Sequence, residues 1–375
     1  MPQNRLQLLH AAGQSIWLDF IDRSILRNGE LVKRIQDDAL TGMTSNPTIF
    51  EKALAEGEAY DDQLAGAPAS GTAMDLFELV ETTDVREACD RFMPVYEATN
   101  GGDGYVSIEV SPGSANNAKE TVGEAQRLWA MVDRPNVMIK VPGTAEGALA
   151  VRTLISAGLN VNITLLFAID AHRRVIDAYL SGLEDRVAAG KPIDRIASVA
   201  SFFVSRVDTE IDKRLDALAA KATGDAQAKI LALKGKAAVA NAQLAYKLFL
   251  GEFSSARWAP LAAAGARLQR PLWASTSSKN PAYRDVMYVE QLVGPNTVNT
   301  MPPATIDAFR DHGEVARTVD ANFGAAEATV RDLAAIGIEF TDVTDTLLRE
   351  GLASFQKSFD SLTAGLEKKR TLLVG

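Results

Sequence analysis

The stretch NVMIKVPGTAEGALAVRTLISAGLNVNITLLF, residues 136–167, reads as strand, helix, strand. NVMIKV (136–141) is short and apolar, and Val-Pro-Gly breaks it. Thr144 then stands where a helix N-cap belongs. LNVNITLLF (159–167) resumes an apolar, β-branched run. Two strands joined through a helix pack as parallel neighbours with a right-handed crossover.

The same alternation continues on both sides. Strand-like runs recur at IWLDF (16–20), LTGMTS (40–45), YVSIEV (105–110), IASVASFFV (196–204), PLWAST (271–276) and NTVNTM (296–301). Eight strand–helix units close most naturally into a (β/α)8 barrel, an α/β fold with an active site at its carboxyl rim. A doubly wound open sheet is the alternative, but its nucleotide fingerprint is missing. GGDGY (101–105) precedes a strand instead of opening a helix, and no GxxxxGK[ST] occurs.

Composition bounds the rest. The 375 residues are 47% hydrophobic and 23% charged, which excludes general disorder and collagen-like or low-complexity chains. A prior of about 150 residues per domain suggests two or three domains, but α/β barrels exceed it as one unit. The expectation is one barrel domain over 1–375, with a C-terminal helical extension at about 340–372. EGEAYDDQLAGAPASGTAMDLF (56–77) reads as a helix-interrupted insertion, and 205–250 as one long or two stacked helices. The Lys/Arg-rich end near 370 suits a helix terminus, and this tail is expected to cover the barrel or a neighbouring subunit.

Net charge is −9 with a pI near 5.1, which argues against a nucleic-acid partner. A lone cysteine, Cys89, excludes an intrachain disulfide framework and reads as a small buried hydrophobe. Three scattered histidines make a histidine-rich metal site unexpected. No signal peptide and no apolar run long enough for a bilayer are read, so no membrane partner and a cytoplasmic location are expected. Oligomeric state is open between monomer and homodimer.

Strands of a parallel barrel are covered on both faces and should be apolar throughout. Here polar residues interrupt them near their carboxyl ends: Asp19, Asn46 just beyond its strand, Glu109, Lys140, Asn162, Thr164, Ser201 and Ser275. One unpaired buried charge is costly, so several make sense only if they converge. Lys140 is the sharpest of them. An amine held out of water near other cations becomes a nucleophile that condenses with a ketone. Carboxylates such as Glu109 and Asp19 beside it can move the protons that imine formation requires. Taken singly, Glu109 reads as an ion-pair partner of Lys140, Asp19 as a helix-start residue and Asn46 as turn chemistry. Arg206 enters a helix after a strand, and Ser275 and Lys279 follow the next strand. Loops after the seventh and eighth strands of such barrels are a recurrent phosphate site. The plain alternatives are pairing of Arg206 with Asp208 or Glu210, and solvation of Lys279.

TGMTSNPTIF (41–50) resembles the first transaldolase signature, and VMIKVPGTAEGALAVRTL (137–154) resembles the second, which carries the Schiff-base lysine. VNITLLF, SFFVSRVD and LWASTSSKNPAY resemble further transaldolase segments, in order, from Asp19 to about Asn280. The SSKNPAY loop and the length are similar to the longer bacterial transaldolases. The resemblance implies a class I aldol transfer without metal or cofactor. A dihydroxyacetone unit would pass from sedoheptulose 7-phosphate to glyceraldehyde 3-phosphate, in the non-oxidative pentose phosphate pathway. It implies Lys140 as the Schiff-base residue, with Glu109 and Thr164 holding a catalytic water. Asp19 would take the donor C4 hydroxyl proton. Asn46, Asn162 and Ser201 would hold the three-carbon unit and Phe203 would line the pocket. Arg206 and Ser275 would bind phosphate. Where many transaldolases carry a second phosphate-loop arginine, this chain reads Ser-Thr-Ser-Ser-Lys, which gives that role to Lys279 as a point charge instead of a fork. An aldolase releasing free dihydroxyacetone, a pyridoxal-phosphate enzyme and a non-catalytic sugar-phosphate binder are the rival readings.

Overall fold

Eight strands close on themselves in chain order, each parallel to both neighbours. The computed structural model describes residues 3–55, 58–67 and 71–374. The strands are β1 (Gln14–Asp19), β2 (Leu40–Thr44), β3 (Tyr105–Glu109), β4 (Val137–Pro142), β5 (Val161–Leu166), β6 (Ser198–Phe203), β7 (Gln269–Ala274) and β8 (Thr297–Met301). Each expected run is a strand, shifted by a residue or two. β7 starts at Gln269 and ends at Ala274, so Ser275 falls just beyond it. The open-sheet alternative is thereby excluded.

Almost every strand residue is buried, because helices cover the outside and side chains fill the inside. The apolar positions Ile16, Val106, Ile139, Ile163, Val199 and Leu272 are all fully buried, each stabilising the fold by roughly 1.5–3 kcal/mol. Thr144 caps the helix Ala145–Ala157 as expected, accepting from Gly147 N–H at 2.9 Å, a bond worth about 1 kcal/mol. Only glycine fits at 147. A Cβ there would lie 1.9 Å from the Pro142 carbonyl oxygen, so the strand-to-helix turn after Lys140 could not close as tightly.

Helical segments differ from expectation in two places. The 205–250 region is three helices, Ser205–Ala219, Gly224–Leu231 and Ala237–Glu252, with Gly224, which opens the second, and Gly235, just before the third, at positive φ. Within the expected insertion, Asp61–Ala65 forms one short helix and Ala73–Ala98 begins a long one; residues 56, 57 and 68–70 lie outside the described residues. The tail forms one helix, Phe340–Val374, running past Lys368, Lys369 and Arg370. It packs on the helices Pro47–Ala55, Ala73–Ala98 and Ser205–Ala219, and so lies across the carboxyl mouth of the barrel. Thr48 Oγ1 bonds Ser358 Oγ at 2.8 Å, and the rings of Phe77 and Phe359 meet edge-on at 5.7 Å.

Candidate active site

Register brings the strand-end polar residues together. Glu109 on β3 lies level with Lys140 on β4, and Lys140 with Asn162 on β5. The Lys140 ammonium is 3.0 Å from Glu109 Oε2 and donates to the Ser45 carbonyl at 2.9 Å. Both side chains are buried, with 7% and 2% exposed. Ion pairing, the plain reading of Glu109, is therefore present. It is also the geometry in which a carboxylate can exchange protons with an amine. Burial raises the Glu109 carboxyl above its ordinary value; Lys140 pulls it down, and Asp19 adds to the rise. Glu81, on the helix Ala73–Ala98, is a further buried carboxyl, held well above its ordinary range by burial and then by Glu109.

Thr164 lies level with Pro142, and its buried Oγ1 has no hydrogen-bond partner among the described residues. A buried hydroxyl without a partner is an exception that calls for a ligand or a water. The next residue, Leu165, has φ 57°, and the β5–β6 register slips between Ile163 and Leu166. Backbone strain of this kind collects at functional sites, where a bulge re-aims a side chain.

Asp19 ends β1 and does not cap the next helix; Asp22 does that, accepting from Ile25 N–H at 2.7 Å. Asp19 Oδ1 instead accepts from Thr44 Oγ1 at 2.8 Å, and Thr44 meets Thr300 Oγ1 at 2.7 Å. Asn46 does perform turn chemistry, accepting from Ile49 N–H at 3.0 Å, while also lining the cavity. Asn162 Nδ2 donates to Ser107 Oγ at 3.0 Å, and Ser201 Oγ donates to Asn162 Oδ1 at 2.6 Å. That chain fixes the orientation of the Asn162 amide and of the Ser201 hydroxyl.

The opposite wall is cationic. Arg206 pairs with neither Asp208 nor Glu210. Asp208 takes Tyr288 and the Ala238 N–H, and Glu210 takes Arg214. Among the described residues the guanidinium has no hydrogen bond or ion pair, and it lies over the Phe203 ring at 5.1 Å. Burial lowers its pKa from the ordinary value, with Asp19 opposing. A half-buried, unpaired arginine is set to take an anion bidentately. Ser275, at φ 57°, lies beside Ser205, their hydroxyls 3.0 Å apart. Lys279 is exposed and donates to Ser277 Oγ at 2.8 Å.

All the expected site residues except Glu109 and Asn162 line one cavity of about 600 Å³ at the carboxyl mouth. Those two sit one bond behind it, on Lys140 and Ser201. The cavity also takes in Thr44, Lys52, Thr300, Ser354 and Phe355, none of which the sequence singled out. The last two belong to the C-terminal helix, whose Gly351 passes over Leu165 and Arg206. A Cβ at 351 would be 2.9 Å from a Leu165 methyl. Among the described residues, no three His, Cys, Asp or Glu side chains cluster as a metal site requires. None of the described helices is long and apolar enough to cross a membrane.

The molecule is a (β/α)8 barrel with a buried lysine–carboxylate pair beside a cationic wall at its carboxyl mouth. The chain belongs to the transaldolase/fructose-6-phosphate aldolase family, whose model matches residues 16–366. It is 48% identical to the transaldolase of Trichodesmium erythraeum, over 98% of each chain. It is 49% identical to that of Thermobifida fusca, over 95% of this chain and 96% of that one. With the Mycolicibacterium smegmatis transaldolase it shares 48% identity over 96% of each.

Proposed function

We propose that the whole chain, 1–375, acts as one transaldolase unit, moving a dihydroxyacetone group between sugar phosphates through an imine on Lys140. The observation that carries this is the buried Lys140 amine 3.0 Å from Glu109, in the same cavity as the unpaired Arg206. Full-length relatives named transaldolase support it.

Lys140 passes its ammonium proton to Glu109 and attacks the donor C2 carbonyl as the free amine. The carbinolamine oxygen leaves as water once protonated, and Glu109 supplies that proton through a water held by Thr164. The resulting iminium is an electron sink. Asp19 removes the C4 hydroxyl proton, the C3–C4 bond breaks, and its electrons pass to the nitrogen as an enamine. An aldose phosphate leaves. The enamine C3 then attacks the aldehyde carbon of the acceptor, Asp19 returns the proton, and water releases the ketose. Asn46, Asn162 and Ser201 hold the three-carbon unit meanwhile. Arg206, Ser275 and Lys279 hold the phosphate, which keeps both aldoses in register and shortens the enamine's exposure to water. The substrates fit a cytoplasmic place in the non-oxidative pentose phosphate pathway, with the protein as monomer or homodimer.

Transfer and plain aldol cleavage separate in one assay. Fructose 6-phosphate should be consumed in step with erythrose 4-phosphate and be almost inert alone. Release of free dihydroxyacetone without acceptor at a comparable rate would place the protein with the aldolases of its family.

A further inference from the structure

Two pairs of side chains beyond the cavity join the halves of its cationic wall. Arg206 sits in the first turn of the helix Ser205–Ala219, while Ser275 and Lys279 lie on the irregular segment after β7. Near the cavity these halves meet through Ser205, whose N–H donates to the Ser275 carbonyl at 3.0 Å and whose hydroxyl faces Ser275 Oγ. Further out, Tyr288 OH donates to Asp208 Oδ2 at 2.9 Å, and Tyr283 OH donates to Asp212 Oδ2. Asp208 and Asp212 are four residues apart and so share one helix face. Each carboxylate also accepts a backbone N–H from the entry to the third helix of this region: Ala238, in its first turn, to Asp208 at 2.8 Å, and Gly235, just before it, to Asp212 at 3.1 Å. Gly235 is required there, since a Cβ would stand 2.9 Å from the Tyr283 ring.

These contacts are built at a cost. Asp208 is fully buried and Tyr288 is 2% exposed. Burial pushes the Asp208 carboxyl up to about 6, against the bonds from Ala238 and Tyr288. A carboxylate kept in such a place must be repaid by its bonds. Ser275 has a left-handed backbone held by Ser205, and among the described residues the Lys279 ammonium bonds Ser277 alone, so the rest of the segment needs support from further out.

We propose that Tyr288–Asp208 and Tyr283–Asp212 are positioning pairs for the substrate phosphate, holding the 275–286 segment at a set distance from Arg206. They govern affinity for phosphorylated ligands and leave chemistry at Lys140 alone. Preorganisation lowers the ordering cost of binding, and that saving appears in KM, not kcat. The inference rests on the phosphate role given above to Arg206, Ser275 and Lys279.

The test uses the full chain with the double variant Tyr283→Phe/Tyr288→Phe. Tyr179→Phe is the control; it loses a comparable bond, 2.7 Å to the Arg267 carbonyl, before β7 at the other end of the barrel. KM for fructose 6-phosphate should rise about tenfold in the double variant. Its kcat should stay within about twofold, and unphosphorylated fructose should be trapped on Lys140 as in the parent. The control should lose thermal stability without a change in KM. Equal shifts for fructose and fructose 6-phosphate, or an unchanged KM, would overturn the proposal. Should the double variant not fold, Tyr283→Phe alone carries the test with a shift of about threefold. Calorimetric binding of inorganic phosphate, weakened in the variants, keeps the positioning role testable even if the parent forms no imine, a result that would contradict the proposed reaction instead.

Discussion

The two ends of the barrel interior both hold buried charge, and they use it oppositely. At the amino end Asp103 has both oxygens engaged, by Trp17 Nε1 at 2.8 Å and by Ser15, and Arg270 bonds Ser15 at 2.7 Å. At the carboxyl end Thr164 Oγ1 has no partner and Arg206 has no ion pair among the described residues. Polar residues inside a barrel therefore do not mark a site by themselves. Unspent bonding capacity facing a cavity does.

The sharpest way to break this comparison is to remove one charge from each end. Lys140→Ala should abolish transfer, with a loss on the order of 10⁴-fold or more, because Lys140 is the buried amine paired with Glu109, whereas Lys52 and Lys279, which also line the cavity, are exposed. Substantial turnover in that variant would sink the assignment. Glu109→Ala should slow imine formation by about 10²-fold, the usual contribution of one proton-transfer group, with phosphate affinity little changed. Single-turnover trapping beside phosphate calorimetry separates the two, and equal losses in both would remove Glu109 from the proton path. Asp103→Ala should do the reverse. Removing the carboxylate 3.5 Å from Arg270, to which Trp17 and Ser15 also bond, should cost about 3 kcal/mol of stability by denaturant titration, with kcat per folded molecule unchanged. A loss of kcat without loss of stability would erase the distinction between the ends.

Outside the barrel, His172 supplies the smallest test. It is fully buried, neither ring nitrogen has a hydrogen-bond partner among the described residues, and burial lowers its pKa to about 4 from 6.5. The unfolded chain thus binds a proton between those values that the native state excludes. Stability should fall as pH drops from 6.5 to 4, by about 3 kcal/mol in all. His172→Leu should gain stability over the parent by that amount as pH falls from 7.5 to 4. A difference that stays constant with pH would mean that His172 is not excluded from protonation in the folded state.

Much of this architecture was legible because it rests on local rules. β4 and β5 are short apolar runs, Val-Pro-Gly stops the first, and Thr144 caps the helix between them. Asp19, Glu109, Lys140 and Thr164 were visible because each is polar in a place where burial favours apolar residues. Other residues carried no such contrast. Thr44, Ser107 and Thr300 orient Asp19 and Asn162, but short hydroxyl residues are common in strands. Ser45 receives the Lys140 ammonium on its carbonyl oxygen, which every residue type possesses. Ser354 and Phe355 reach the cavity only because the last helix crosses the mouth, a tertiary fact. Gly224 and Gly235 divide the 205–250 region, yet isolated glycines in an alanine-rich stretch read as tolerated defects.

The central claim is an imine on one lysine, and borohydride trapping with fructose 6-phosphate tests it directly. Intact-mass and peptide mass spectrometry should find a reduced three-carbon adduct on Lys140 and on no other residue. A folded, substrate-saturated protein with no adduct, or with the adduct on another lysine, would contradict the account.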